Sequence, residues 1–315
     1  MKWVTVRNEN AEQVGLVQDK QIHLLEAGTT LVSLLGDDGE KLRQAGERAR
    51  TNPTNVVEWS SADLAPPLRP TQVRDTLLFL QHMRNCRPQL ELEDEWYQIP
   101  AFYFGNTTAA VGPYDPVEIF PGSQWFDFEL EIAAIVGKEG SNIRPENGDD
   151  YIAGLMIFND WSARDLQQKE GVLRIGQAKG KDGANTFGPM FVTKDELEPH
   201  RSGNSYHLKA EAFINDKLLG EGYLDEMNWS FGEVIAYASR GTKVLPGEAI
   251  CSGTVPTCCL VEHFVLSLHD QERSFPGWLQ PGDEVRLDVE VLGSTVQKVL
   301  APVPIHPLES EQTSN

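Results

Sequence analysis

From Asp127 to Val136 the chain alternates acid with apolar residue and then turns wholly apolar, a pattern few folds can accommodate. Asp127-Phe128-Glu129-Leu130-Glu131-Ile132 reads as a strand with period two. Its three acids project from one face while Phe128, Leu130 and Ile132 pack on the other. Ala133-Ala134-Ile135-Val136 then has no polar face, as expected of a strand running into a core. Carboxylates beside such a run repel one another and are costly to desolvate unless a cation or basic groups neutralise them. Gly154-Leu155-Met156-Ile157-Phe158 is a second buried-strand candidate, and it delivers Asn159-Asp160 at its end. An acid at that position, ahead of a helix start, suits a third ligand. Oxygen ligands alone point to a hard divalent cation such as Mg²⁺ or Ca²⁺.

The remaining chain reads as α+β with strands dominant. Residues 1–60 suggest a small N-terminal β-rich domain, with strands at Trp3–Val6, Val14–Val17 and Gln21–Leu24 and a helical spacing from Leu31 to Ala49. The proline-rich segment 61–70 reads as a linker. A catalytic domain over 71–307 and a flexible polar tail over 308–315 complete the expected division. Within that domain a helix is expected over Arg74–Arg87 and another near Glu233–Ser239. Strands are expected at Ile99–Phe104, Met190–Thr193, Tyr206–Ile214, Ala249–Ser252, Glu262–Leu268 and Val285–Leu292.

A formal charge of −20 argues against binding nucleic acid or an anionic membrane surface, since both need clustered Lys and Arg. No apolar run approaches the roughly eighteen residues of a transmembrane helix, and Met1–Val6 alternates like a strand rather than forming a leader. A cytoplasmic location is therefore expected. The four cysteines, Cys86, Cys251, Cys258 and Cys259, form no Cys-x-x-Cys pair and read as small buried thiols.

After Asp160, the segment Trp161-Ser162-Ala163-Arg164-Asp165-Leu166-Gln167 places Ser162 and Asp165 at capping-box spacing. Arg164 and Gln167 share one helical face. Lys181 stands between Gly180 and Asp182-Gly183, where backbone can approach a ligand closely.

These runs together, with Ser252-Gly253-Thr254 and Gly282-Asp283, resemble the fumarylacetoacetate hydrolase family, in its fumarylacetoacetase-like branch. The resemblance covers roughly residues 71 to 305. It implies a mixed β-roll catalytic domain and a cation, Mg²⁺ or Ca²⁺ with Mn²⁺ a further candidate, held by Glu129, Glu131 and Asp160, with Asp75 as a fourth acid. It also implies a catalytic His at 82, seven residues after Asp75 and on the same helix, paired with Glu262 to activate water. Arg164, Gln167 and Lys181 are the implied donors to the developing charge, with Lys181 counted as catalytic and Tyr103 and Thr254 as substrate contacts. Asp127 drops from the ligand set and becomes a flanking, solvated acid. The implied activity is hydrolysis of a carbon–carbon bond in a small anionic β-diketo acid such as fumarylacetoacetate or an acylpyruvate, in aromatic catabolism, by a homodimer. A 2-oxo acid decarboxylase, a tautomerase or isomerase, and a catalytically silent metal-binding protein are the alternatives.

Overall fold

Leu130–Val136 is apolar apart from Glu131, and in the computed structural model it is a strand buried on both faces inside a twelve-stranded sheet. Residues 1–9 and 11–306 are described; the tail expected over 308–315 lies outside them. In chain order the sheet's longer strands are β1 (Lys2–Asn8), β2 (Ala11–Gln18), β3 (Gln21–Leu24), β4 (Asn55–Glu58), β5 (Gln72–Thr76) and β6 (Phe102–Gly105). They continue with β7 (Leu130–Val136), β8 (Ile152–Asp160), β9 (Asn185–Thr193) and β12 (Glu248–Cys251). Across the sheet they run β4-β3-β2-β1-β9-β8-β7-β12-β5-β6. Neighbours on this path are antiparallel except β12 and β5, which are parallel. A second, five-stranded sheet contains β10 (Lys209–Ile214), β11 (Lys217–Tyr223), β13 (Glu284–Val289) and β14 (Gly293–Leu300). The fold is α+β and strand-rich, with no closed barrel among the described residues.

Register places the chemistry. Leu130 pairs with Asn159 and Glu131 with Phe158, so Asp160 lies opposite Glu129, to which its N–H donates at 3.2 Å. Cys251 of β12 pairs with Asp75 of β5, and Asp75 pairs with Tyr103 of β6. Five adjacent strands therefore bring three acids, a cysteine and a tyrosine to the same end of one sheet. Such a sheet end, where strands give way to loops, is where binding residues gather on a rigid scaffold.

Several expected elements differ. Residues 74–87 do not form one helix: Asp75 is in β5, and α2 spans only Leu80–Cys86. Val73 and Thr76 are β-branched, and pairing β5 against β12 makes this stretch part of the sheet. Residues 262–268 are not a strand but lie in helix α5 (Leu260–His269). The spacing of Val261, Phe264, Val265 and Leu268 is helical, with apolar residues three, four and seven apart. The helix expected from Leu31 begins later, as α1 (Glu40–Thr51). Gly36, Asp38 and Gly39 all adopt positive φ and turn the chain before it. Helix α4 (Phe231–Ala238) starts at a capping box made by Ser230 and Glu233. Helix α3 (Arg164–Gly171) follows β8, but without the expected Ser162–Asp165 box. Ser162 donates to the Asp160 carbonyl, and Asp165 accepts from Ser123 and the Gln124 N–H. Among the described residues, no helix is long and apolar enough to cross a membrane.

Candidate active site

Glu129, Glu131 and Asp160 each present a carboxylate oxygen within 4.8 Å of the others'. Asp75 approaches the group from β5, with its carboxylate near Glu131 and the Cys251 thiol. All four acids are buried. Asp75, Glu131 and Asp160 each keep a buried oxygen with no hydrogen-bond partner. Burial holds the carboxyl groups of these three above the usual range, with mutual repulsion adding to it. Glu129 differs. Burial acts against its charge too, but Arg164 and Lys181 hold it well below the usual carboxylate range.

Lys181 Nζ donates to Asp160 Oδ2 at 2.5 Å and to Glu129. Burial acts to lower its pKa, yet Asp160 and Glu129 keep it above the ordinary lysine value and charged. Arg164 donates to Glu129 at 2.7 Å and to Asp127 at 2.8 Å. Two cations thus face the four acids of the cluster and Asp127 behind it. The remaining negative charge and the orphaned oxygens fit a hard divalent cation with oxygen ligands, since unpaired carboxylates are not stable in such surroundings. The site residues named from the sequence as metal ligands come together in space.

His82, on α2, donates through Nδ1–H to Glu262 Oε1 on α5 at 2.6 Å, and both side chains are buried. The other Glu262 oxygen accepts from Asn85 Nδ2 at 2.5 Å and from the Thr257 N–H at 2.9 Å. With those donors on Oε2, Glu262 Oε1 accepts from His82 Nδ1–H, and Nε2, 3.9 Å from Cys86 Sγ, is the nitrogen that gains or loses a proton. Burial pulls the imidazole pKa down, but Cys86, Cys259 and Glu262 outweigh it and hold it well above the ordinary value. Asn85 and Thr257 escaped sequence reasoning. Asn85 was within reach of it, standing three residues after His82 on one helical face; Thr257, at positive φ, carries no such signal.

A cavity of about 620 Å³ joins the two constellations, lined among others by Asp75, His82, Glu129, Glu131, Arg164 and Lys181. Gln167 lines it too, its Oε1 accepting from Arg164 at 3.2 Å, which leaves its amide N–H groups free. Tyr103 also faces the cavity and donates to Asp160 Oδ2 at 2.7 Å; burial and the adjacent acids raise its pKa, so it stays protonated. Thr254 is buried in the turn after β12, with its hydroxyl unpartnered. Beside it Gly253 adopts φ +73° and donates its N–H to Glu131 at 2.9 Å; a Cβ there would meet the Thr76 carbonyl at 2.5 Å.

Asp127 is not the solvated acid expected. It is fully buried and accepts from the N–H groups of Phe128, Leu260 and Val261 as well as from Arg164. Its carboxylate therefore caps α5, the helix that carries Glu262, in keeping with the preference of helix N-termini for anions. The cysteines are free thiols, with Cys251, Cys258 and Cys259 buried and Cys86 partly exposed.

Residues 71–300 match the family model described as "Fumarylacetoacetate (FAA) hydrolase C-terminal". The mitochondrial oxaloacetate tautomerase FAHD2B of Bos taurus is 30% identical over 274 residues, covering 86% of this chain and 80% of that protein. A fumarylacetoacetate hydrolase from Exiguobacterium antarcticum superposes with a TM-score of 0.71 at 22% identity, over 96% of this chain and 99% of the other. Maleylpyruvate hydrolase from Sphingobium sp. SYK-6, solved with manganese(II) and pyruvate, gives a TM-score of 0.71 at 20% identity, over 96% and 100%.

Proposed function

The chain belongs to the fumarylacetoacetate hydrolase family, and from that premise we propose that it is a divalent-metal-dependent hydrolase of β-diketo acids. One observation carries this reading: the buried His82–Glu262 pair and the carboxylate cluster open onto the same cavity. A base positioned by a carboxylate suits water activation, and the acid cluster suits a cation.

In this reading Glu129, Glu131, Asp160 and Asp75 would hold Mg²⁺, Ca²⁺ or Mn²⁺. When bound, the cation supplies Lewis-acid polarisation of the substrate's oxygens. His82 Nε2 takes a proton from water as its oxygen adds to the acyl carbonyl, and Glu262 stabilises the imidazolium through Nδ1. The carbon–carbon bond beside that carbonyl then breaks. The acyl group leaves as a carboxylic acid, and the electron pair departs with the keto-acid fragment as its enolate. Lys181, Arg164 and Gln167 direct N–H groups at the developing negative charge, and the proton held on His82 completes the released keto acid. For an acylpyruvate the balance is one diketo acid and one water giving one carboxylic acid and pyruvate.

Similarity to a named oxaloacetate tautomerase supports a second reading. The same His82 would move a proton between carbon and oxygen, with no water consumed. Product analysis separates the two. Incubation of the Mg²⁺-loaded protein with acylpyruvates and fumarylacetoacetate is expected to release a carboxylic acid and a keto acid, with oxaloacetate run beside them to read tautomerisation. Enol–keto interconversion of oxaloacetate without any cleavage product would favour tautomerisation and overturn the hydrolase proposal. A homodimer is part of the proposal, with a solution mass of two chains expected by light scattering.

A further inference from the structure

The cavity has two unlike kinds of lining. Besides the acids and the polar Gln167, Gln168 and Gln177, it is walled by an apolar group, Trp125, Val261, Phe264, Val265 and Trp278. Trp125 and Trp278 stack with centroids 5.7 Å apart and planes at 12°, and Phe264 closes the group at 5.9 and 5.3 Å from them. All three rings are half-buried, presenting apolar surface to the cavity. Phe275 packs edge-on behind Phe264 and Trp278, at 5.3 and 4.9 Å, and fixes the wall from outside.

Position relates this wall to the reacting bond. Val261, Phe264 and Val265 share α5 with Glu262. The Trp125 carbonyl accepts from the Arg164 N–H at 2.9 Å, so the aromatic group begins where the dyad and the donor set end. With the keto-acid head at the acid cluster and the attacked carbonyl at His82, whatever lies beyond that carbonyl extends along the aromatic wall.

Charge argues the same way. Among the described residues lining the cavity, the Lys and Arg side chains are Arg87, Arg164 and Lys181. Arg164 is committed to Asp127 and Glu129, and Lys181 to Glu129 and Asp160. Arg87 is 45% exposed and 3.9 Å from Glu93. A second carboxylate at the substrate's far end would find no desolvated cation waiting, whereas an apolar group would bury both its own surface and the rings'.

Resting on the hydrolase reading of the site, we infer that the preferred substrate is an acylpyruvate whose acyl tail is apolar, alkyl or aryl, and not a second carboxylate. The test compares kcat/KM of the Mg²⁺-loaded enzyme for acetyl-, butyryl-, benzoyl- and fumarylpyruvate. Burial of the tail is expected to raise kcat/KM about fourfold per methylene, and benzoyl over acetyl by about tenfold to a hundredfold. Phe264→Leu and Trp278→Ala should each cut the benzoyl-to-acetyl ratio at least tenfold, while Arg87→Ala leaves it alone. A preference for fumarylpyruvate that Arg87→Ala abolishes would overturn the inference, as would equal rates for all tails. A parallel titration keeps the two readings apart. Quenching of tryptophan fluorescence in the metal-loaded protein by phenylpyruvate and by 2-oxoglutarate reports tail preference without turnover. Tighter phenylpyruvate binding with no cleavage of any diketo acid would sink the hydrolase reading and sustain the apolar tail. Tighter 2-oxoglutarate binding would overturn the tail itself.

Discussion

Asp127→Asn tests whether a buried acid outside the cation cluster organises it. Asp127 Oδ1 accepts from the Phe128 and Leu260 N–H groups, both at 2.7 Å. Oδ2 accepts from Val261 at 3.0 Å and from Arg164 Nε at 2.8 Å. Asparagine is nearly isosteric, but one of its two positions becomes an NH₂ group. Whichever way it turns, two donors then meet a donor. Each charge-assisted bond contributes about 1.5–3 kcal/mol, and breaking a buried ion pair costs about 3–5, so a loss of about 3–5 kcal/mol is expected. Equilibrium unfolding in urea, read by tryptophan fluorescence at fixed Mg²⁺, measures it. Turnover should fall as well, because Leu260 and Val261 are the residues that anchor α5, and Glu262 follows them directly. A displacement of about 1 Å in a catalytic group can cost about 10² in rate. Stability within about 1 kcal/mol of the parent, with unchanged turnover, would refute the clamp.

Glu262→Gln should lower kcat by about 10²–10⁴ with little change in KM, because it removes the group that orients and charges His82; far-ultraviolet circular dichroism should match the parent. Lys181→Ala removes a donor aimed at developing charge, and a fall of about 10²–10³ in kcat is expected from steady-state kinetics. Chelation should abolish turnover, and Mg²⁺ at about a hundred times its dissociation constant should stabilise the fold by about 2.7 kcal/mol in thermal melts. In the chelated protein Asp75, Glu131 and Asp160 titrate above their unfolded values, so the folded chain binds more protons than the unfolded one once pH exceeds about 4. Stability contributed by these groups therefore falls as pH rises from there. The melting temperature of the chelated protein should therefore fall as pH rises from about 4 through the raised range of these three carboxyls, and Mg²⁺ should lessen the fall.

The fold class was legible because period-two and wholly apolar stretches describe burial directly. Leu130–Val136 and Ile152–Asp160 are strands for the reason their sequences suggest. The errors fell where a short apolar segment fits two periods. Val261, Phe264 and Val265 satisfy a strand over a few residues and a helix over ten, and what caps the helix is tertiary: the Asp127 carboxylate on the Leu260 and Val261 N–H groups. The spacing out to Leu268 already reads as helical; the cap was out of reach of any local rule, because it comes from more than 130 residues away.

The same point decides how far the site could be read. Resemblance supplied which residues meet, and register accounts for how: the order β8-β7-β12-β5-β6 sets Asp160, Glu131, Asp75 and Tyr103 along one sheet end. Hidden from the sequence was the break at Phe128–Glu129. A continuous strand would send Asp127, Glu129 and Glu131 to one face as equivalents. Instead Asp127 folds back on the Phe128 N–H, the strand restarts at Leu130, and the Asn159 side chain holds the Glu129 N–H at 3.1 Å. The three acids then acquire different tasks. Asp127 caps a helix, Glu129 stays ionised between Arg164 and Lys181, and Glu131 lies among acids with an unpartnered oxygen. Alternation in the sequence fixes which residue types are available, but the hydrogen bonds at the break are what make one acid structural and leave its neighbours free for a cation.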